Sequence, residues 1–171
     1  MSRGPGRIER AIEAAFAAEP DNAFNTLDLC EHAYPGVNRI DKKHRVAVLR
    51  ALKRIMARRP DLETMQGDAL GREIVVYHRY NVMSYAMGRL KSDNLRAYRS
   101  NDLRKPEHWI TDEAELRASL SEGGKNHRLV VEGGAWWRHT QERIAERDGD
   151  HERAAQLSAE NGRAIAAIFA P

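Results

Sequence analysis

The amino-acid sequence predicts a mainly α-helical protein that contains one small β-hairpin. Two observations support this prediction. Over most of the chain, apolar residues recur every three or four positions, which is the period of a helix with one buried face. Around residues 67–71 the period changes: a short strand candidate precedes a glycine-bearing turn, and a run rich in β-branched and aromatic residues follows it. We therefore expect helices on both sides of a two-stranded hairpin.

Three helices are predicted before the hairpin, because apolar residues keep helical spacing there and a proline follows each segment. Asn25 or Thr26 can cap the second helix, and Asp41 can cap the third. Phe24 lies in the loop between the first two helices and is a candidate for a very short strand. The three predicted helices extend over residues 7–18, 27–34 and 41–59.

The predicted hairpin pairs a strand at Leu62–Gln66 with a strand at residues 73–80. A fourth helix is expected at residues 82–91. Residues 92–106 are polar and basic with weak periodicity, so we interpret them as a linker. The elements expected after the linker are a helix, a short apolar strand and two further helices, over about 112–121, 129–132, 135–147 and 151–169.

The most charged part of the sequence extends from Arg39 to Arg59. It holds nine basic side chains and a single acidic one, whereas the net charge of the whole chain is only +3. At about 100° per residue, the apolar side chains of this predicted helix share one face and many basic side chains share the opposite face. The expected buried face consists of Val48, Leu49, Leu52, Ile55 and Met56. The expected outer face consists of Lys43, Ala47, Arg50 and Arg54, with Lys53 and Arg58 at its margins.

The order of helix, short strand, helix, basic helix and hairpin resembles the winged helix-turn-helix family of DNA-binding proteins over about residues 5–80. The resemblance implies that the third helix enters the major groove while the hairpin, or wing, contacts the DNA backbone or the minor groove. It also implies that Arg72, beside the wing tip, contacts DNA. The predicted DNA-binding residues are Lys42, Lys43, Ala47, Arg50, Lys53, Arg54, Arg58 and Arg72.

The chemistry of these side chains supports the same assignment. An arginine fork matches the O6 and N7 acceptors of guanine, and lysines can neutralise phosphates. Lys42 and Lys43 stand at the start of the helix, where the helix dipole disfavours positive charge unless an anion is bound. The alternatives are a solvated surface helix and a surface that binds an acidic protein.

No other constellation predicts a chemical function. Cys30 and His32 are two residues apart on a predicted helix, so their side chains point in different directions and do not indicate a metal site. No glycine-rich segment has the spacing of a phosphate-binding loop, and no nucleophile has an evident base. We therefore predict that the protein is not an enzyme and has no catalytic residue, no metal site and no cofactor.

The cellular compartment is predicted from what the sequence lacks. One cysteine cannot form an internal disulfide, which is typical of a reducing compartment. No stretch approaches the roughly 20 apolar residues that span a bilayer, and residues 1–10 lack the apolar centre of a signal peptide. We expect a cytoplasmic protein without membrane contact, associated with the nucleoid if the protein is bacterial.

Charge divides the chain into two regions, since residues 1–100 carry a net +6 and residues 101–171 a net −3. We predict a DNA-binding domain at 5–91, a linker at 92–106 and a helical association region at 107–171. The last helix carries an apolar stripe that either packs on its own domain or pairs with a second copy in a homodimer. The stripe consists of Ala154, Leu157, Ala164, Ile165, Ile168 and Phe169.

These observations predict a protein that binds double-stranded DNA with the basic helix and acts as a transcription regulator. Two other roles would fit the same residues. The protein could serve DNA replication, partition or nucleoid architecture with the same surface. It could also be an interaction module that has the winged-helix fold without DNA contact.

Overall fold

The computed structural model describes residues 6–66, 74–92 and 112–168. These residues form helices at both ends of the sequence and a three-stranded antiparallel sheet that follows the N-terminal helices, which confirms the predicted fold class. The described elements are α1 (Arg7–Ala18), β1 (Phe24–Asn25), α2 (Thr26–Ala33), α3 (Lys42–Met56), β2 (Leu62–Gln66), β3 (Ile74–His78), α4 (Val82–Leu90), α5 (Glu113–Leu120), α6 (His127–Val130), α7 (Ala135–Asp148) and α8 (His151–Ile168).

Side-chain caps fix the starts of several helices. The side-chain oxygen of Asn25 accepts hydrogen bonds from the backbone N–H groups of Leu27 and Asp28, at 2.8 and 3.0 Å. The Asp28 carboxylate in turn accepts a hydrogen bond from the Asn25 backbone N–H, so α2 begins with a reciprocal capping box. Asn81 and Asp112 cap α4 and α5 by accepting from two backbone N–H groups each.

The sheet has the order β1-β3-β2, so β3 is its central strand. Phe24 of β1 pairs with Val76, and Leu62 of β2 pairs with His78. Successive residues of a strand point to opposite faces of the sheet. Val76 therefore faces one hydrophobic core, whereas Val75 and Tyr77 face the other.

The two cores lie on opposite faces of the sheet. The first core is built by α1, α2 and α3, and its buried members are Ile12, Ala15, Phe16, Phe24, Leu29, Cys30, Ala33, Val48, Ala51, Leu52, Ile55, Leu62 and Val76. The second core joins the sheet to α4, α5 and α6, and its buried members are Ala23, Val75, Tyr77, Ala86, Met87, Leu90, Leu116, Leu120 and Val130. Both faces of β3 are thus covered, which accounts for its apolar run of residues.

Lys91, just after α4, connects the segment around β1 and α2 to the start of α5. Its side chain is only 1% exposed, and its Nζ donates hydrogen bonds to the Ala23 carbonyl at 2.7 Å and the Asp28 carboxylate at 3.1 Å. The same Nζ donates to the carboxylate of Glu113 at the start of α5. A buried ammonium group needs such partners, because its desolvation is costly without them.

A polar cluster ties α7 to β2 and β3 on the sheet face that borders the second core. The Tyr77 hydroxyl donates to Glu63 Oε2 at 2.7 Å, and Arg143 Nη2 of α7 lies 3.7 Å from Glu63 Oε1. Burial, followed by the hydrogen bond to Glu63, raises the pKa of Tyr77, so its hydroxyl keeps the proton that it donates.

The short strand expected at 129–132 is wrong, because the structure forms α6 there. An apolar run of three residues, as at 129–131, cannot be assigned to a strand or a helix by periodicity. Here the run lies between two turns in which Gly123 and Gly133 adopt φ values of +77° and +78°, which glycine accepts most readily. These turns bring Val130 into the second core. The predicted domain boundary at 92–106 lies, apart from Ser92, outside the described residues, and the division into domains stays a prediction.

Candidate nucleic-acid interface

Helix α3 presents one face to the first core and the other to solvent. Val48, Leu52 and Ile55 are buried, as expected from the sequence. Leu49 was expected with them, but its residue is 38% exposed, and Ala51 takes its place in the core. The helix is therefore rotated about its axis relative to the prediction. The reason is that α1 and α2 pack against α3 on the Ala51 side, where a small side chain permits close contact.

The outward face of α3 carries the larger part of its positive charge. Of the nine basic side chains between residues 39 and 59, five are exposed and form no ion pair with any described residue. These five are Lys42, Lys43, Arg45, Arg50 and Lys53. Ala47 is half-buried between them and the side of the helix that faces α1. The structure thus brings Lys42, Lys43, Arg50 and Lys53 together on one surface.

Two of the predicted DNA-binding residues, Arg54 and Arg58, form ion pairs with α1. Arg54 Nε donates to Glu9 Oε1 at 2.6 Å, and Arg58 Nη2 donates to Glu9 Oε2 at 3.0 Å. Arg58 also reaches Glu13 Oε1 at 3.2 Å. Hydrogen bonds from Arg54 and then Arg58 hold the pKa of Glu9 below its usual value, so Glu9 is ionised. The C-terminal end of the basic face is therefore partly neutralised within the protein.

Glu9 and Glu13 of α1 had no predicted role. They are four residues apart on α1, and side chains with this spacing lie on the same side of a helix. That spacing was visible in the sequence, but the partner helix was not, because 45 residues separate Glu9 from Arg54. Glu9 is also an unusual acid, since only 6% of its side chain is exposed although its partner Arg54 is 60% exposed.

Contacts among Arg7, Tyr34 and His44 position the start of α3 against the end of α2. The guanidinium carbon of Arg7 lies 5.2 Å from the centre of the Tyr34 ring, and Arg7 Nη1 donates to the Ala33 carbonyl at 2.8 Å. The Tyr34 ring packs on the His44 ring with 4.5 Å between their centres. His44 Nδ1 in turn accepts a hydrogen bond from the Asp41 backbone N–H at 3.1 Å. The exposed lysines of the first turn therefore project from a fixed helix end.

Arg72 and the turn at 67–71 lie outside the described residues, so the contact of the wing with DNA stays a prediction.

Cys30 and His32, which are two residues apart on α2, have different surroundings. Cys30 is buried, and this burial raises the pKa of its thiol. The His32 ring packs edge-on against Phe24, with 5.4 Å between the ring centres. Within the described ranges, no group of three or more His, Cys, Asp or Glu residues could hold a metal ion.

The apolar stripe of α8 is divided between two environments. Ala154 and Leu157 are buried against α7, so this part of the stripe packs within the chain. Ile165, two turns later, is 50% exposed. The side chain of Ile168 and all of Phe169 lie outside the described residues. Among the described residues of the stripe, only Ile165 is exposed, so the end of α8 is the part that a second copy could contact.

Comparison of the chain with protein-family models, with curated proteins and with solved structures found no match. In the described part of the chain, no helix combines the length and the apolar character needed to cross a membrane.

Proposed function

We propose that this chain is a winged-helix protein that binds double-stranded DNA through the outward face of α3 and acts as a transcription regulator. One observation carries the proposal. Five basic side chains share the exposed surface of a single helix, and none has an acidic partner among the described residues, while the opposite face of the helix is anchored in a core. A surface helix that served only solubility would gain from interleaved acids, and α3 contains none.

The dimensions of α3 suit a major groove. Its 15 residues give a length of about 22 Å, and the groove of B-DNA, about 12 Å wide, admits a helix. Lysines at the start of the helix would neutralise phosphates at the groove edge, and Arg50 would reach base edges. The order of α1, β1, α2, α3 and the β2–β3 hairpin supports placing α3 in the role of a recognition helix.

For the C-terminal region, we propose that a homodimer, in which two DNA-binding surfaces act together, forms through the end of α8. The support is Ile165, an apolar residue that is 50% exposed near the end of α8. Pairing two such surfaces would raise affinity through a high effective concentration.

The proposal is tested by fluorescence anisotropy with a labelled mixed-sequence duplex at low salt. Wild-type protein should bind, and a plot of log K against log salt should slope by about −4 to −5 if about five phosphates are neutralised. Arg50→Ala and Lys53→Ala should bind more weakly. The matched control is Lys125→Ala, which removes an exposed basic side chain between α5 and α6 and should bind like wild type.

Failure of the wild-type protein to bind duplex DNA at low salt would refute the proposal. Equal loss in the control and in the α3 variants would mean that overall charge, not α3, is responsible. Genome-wide mapping of bound DNA then separates the possible roles. A few defined sites indicate regulation, whereas binding that depends only on DNA length indicates an architectural role.

A further inference from the structure

Leu49 is an apolar residue beside the basic side chains of α3. It is 38% exposed and does not belong to the first core. Four large apolar residues are exposed among the described parts of the chain: Val37, Leu49, Val131 and Ile165. Of these four, Leu49 alone belongs to α3. Exposure of an isolated leucine is common on protein surfaces, so its surroundings decide what it can bind.

The neighbours of Leu49 on the helix surface are the residues three and four positions away. Arg45 and Lys53 occupy the preceding and following turns of the same row, and both are exposed without an ion-pair partner among the described residues. Val46 is half-buried and lies beside Leu49 on the N-terminal side. The result is a small apolar spot formed by Val46 and Leu49 with positive charge on both sides.

A partner for this spot must present an apolar group between negative charges. The major groove of DNA has this arrangement, because phosphates line its edges and the C5-methyl group of thymine is the apolar feature of its floor. An apolar protein surface would leave Arg45 and Lys53 desolvated and unpaired, which is costly. Duplex DNA therefore satisfies both the charge and the apolar character of this surface.

We propose that Leu49, together with Val46, contacts thymine methyl groups, so that the preferred DNA site of this protein contains thymine beneath the middle of α3. The inference rests on the proposed DNA binding and names the base that the helix selects. Removal of one contacted methyl group should weaken binding about threefold to fivefold, since that is the affinity change expected for burying one methyl-sized group.

The experiment starts from duplexes selected by the full-length protein out of a randomised pool. Each selected duplex is then made again with every thymine replaced by uracil, which keeps the pairing with adenine and removes only the methyl group. Affinity for both duplexes is measured for wild type, Leu49→Ala and the matched control Val131→Ala, a similarly exposed apolar residue that lies outside α3 and outside the proposed dimer contact.

Wild type and Val131→Ala should lose at least threefold in affinity on the uracil duplex, as expected for one methyl contact. Leu49→Ala should bind the thymine duplex more weakly than wild type and respond less to uracil. Equal binding of both duplexes by wild type, or an unchanged uracil effect in Leu49→Ala, would overturn the inference while leaving DNA binding intact. Recovery of no duplex from the pool would instead mean that the proposed function itself is wrong.

Discussion

Neutralising Glu9 should release two arginines to the proposed DNA-binding surface. Glu9 accepts hydrogen bonds from Arg54 at 2.6 Å and Arg58 at 3.0 Å, so one carboxylate holds both guanidinium groups against α1. In Glu9→Gln the amide oxygen still accepts hydrogen bonds, but the charge attraction is lost. Arg54 and Arg58 then gain freedom to reach phosphates, and the net charge of the protein rises by one.

The salt dependence of DNA binding measures this release. Each further phosphate that is neutralised steepens the slope of log K against log salt by about 0.9, so two released arginines should steepen it by up to about 1.8. Affinity at low salt should rise accordingly. The assay is fluorescence anisotropy of one labelled duplex titrated at several salt concentrations, with circular dichroism as the check on folding.

Glu13→Gln is the matched control, because Glu13 lies one helical turn after Glu9 and has a single contact, at 3.2 Å to Arg58. Its effect on the slope should be smaller. If Glu9→Gln leaves the slope unchanged while its fold is intact, the ion pairs do not withhold Arg54 and Arg58 from DNA, and the reasoning is refuted.

Glu9→Gln should also change how the unfolding free energy of the protein depends on pH. Because the pKa of Glu9 lies below its ordinary value of 4.5 in the folded protein, the ionised carboxylate stabilises the fold above that pH. This contribution is lost as the pH falls from about 4.5 through the lower folded value. Glu9→Gln lacks it at every pH, so the difference in unfolding free energy between the two proteins should shrink as the solution is acidified.

Three further predictions concern DNA binding, the α7–α8 contact and the buried lysine. Arg50→Ala should cost about 1–3 kcal/mol of DNA-binding free energy if Arg50 contacts a base. Arg54→Ala should cost less, because Glu9 already holds the Arg54 side chain. The reverse order in anisotropy titrations would contradict the assignment of Arg50 to the DNA-facing side of α3. Leu157→Asp should lower the unfolding free energy by about 3 kcal/mol or more in urea titrations, because it places a charge in a buried contact. Ile165→Asp should leave the stability unchanged, and it should reduce the molecular mass in solution if the end of α8 forms a dimer. Lys91→Met should destabilise the fold by about 2–3 kcal/mol, since two carboxylates lose their shared cation, and a wild-type unfolding midpoint would show that the cluster contributes nothing.

Much of the local structure could be predicted from the sequence, because local signals determine it. Prolines at 20, 35 and 60 follow the first three helices, and Asn25 and Asp41 mark two helix starts. The β-branched run at Ile74–His78 formed the expected strand. These signals act through neighbouring residues, so no knowledge of the tertiary fold is needed.

The arrangement of the candidate interface could be predicted only in part. Lys43 and Arg50 lie on the outward face as the helical pattern indicates, but the rotation that exposes Leu49 and buries Ala51 depends on which elements pack against α3. The pattern treats every apolar residue alike, whereas close packing selects a small side chain at one position. The ion pair of Arg54 with Glu9 joins distant parts of the sequence, and a single sequence carries no signal for such a pairing.

The burial of β3 on both faces has a consequence for protein fragments. A fragment that ended at Lys91 would keep α1, α2 and α3, but it would lack the α5 and α6 side chains that cover Val75, Met87 and Leu90. The uncovered residues would form a contiguous apolar patch, and such patches promote aggregation. A fragment that ended at Lys91, whether cloned or made by limited proteolysis, would therefore aggregate. In a binding assay, DNA bound by such a fragment would be hard to distinguish from DNA trapped in the precipitate. A fragment used to measure DNA binding should therefore extend at least through α6.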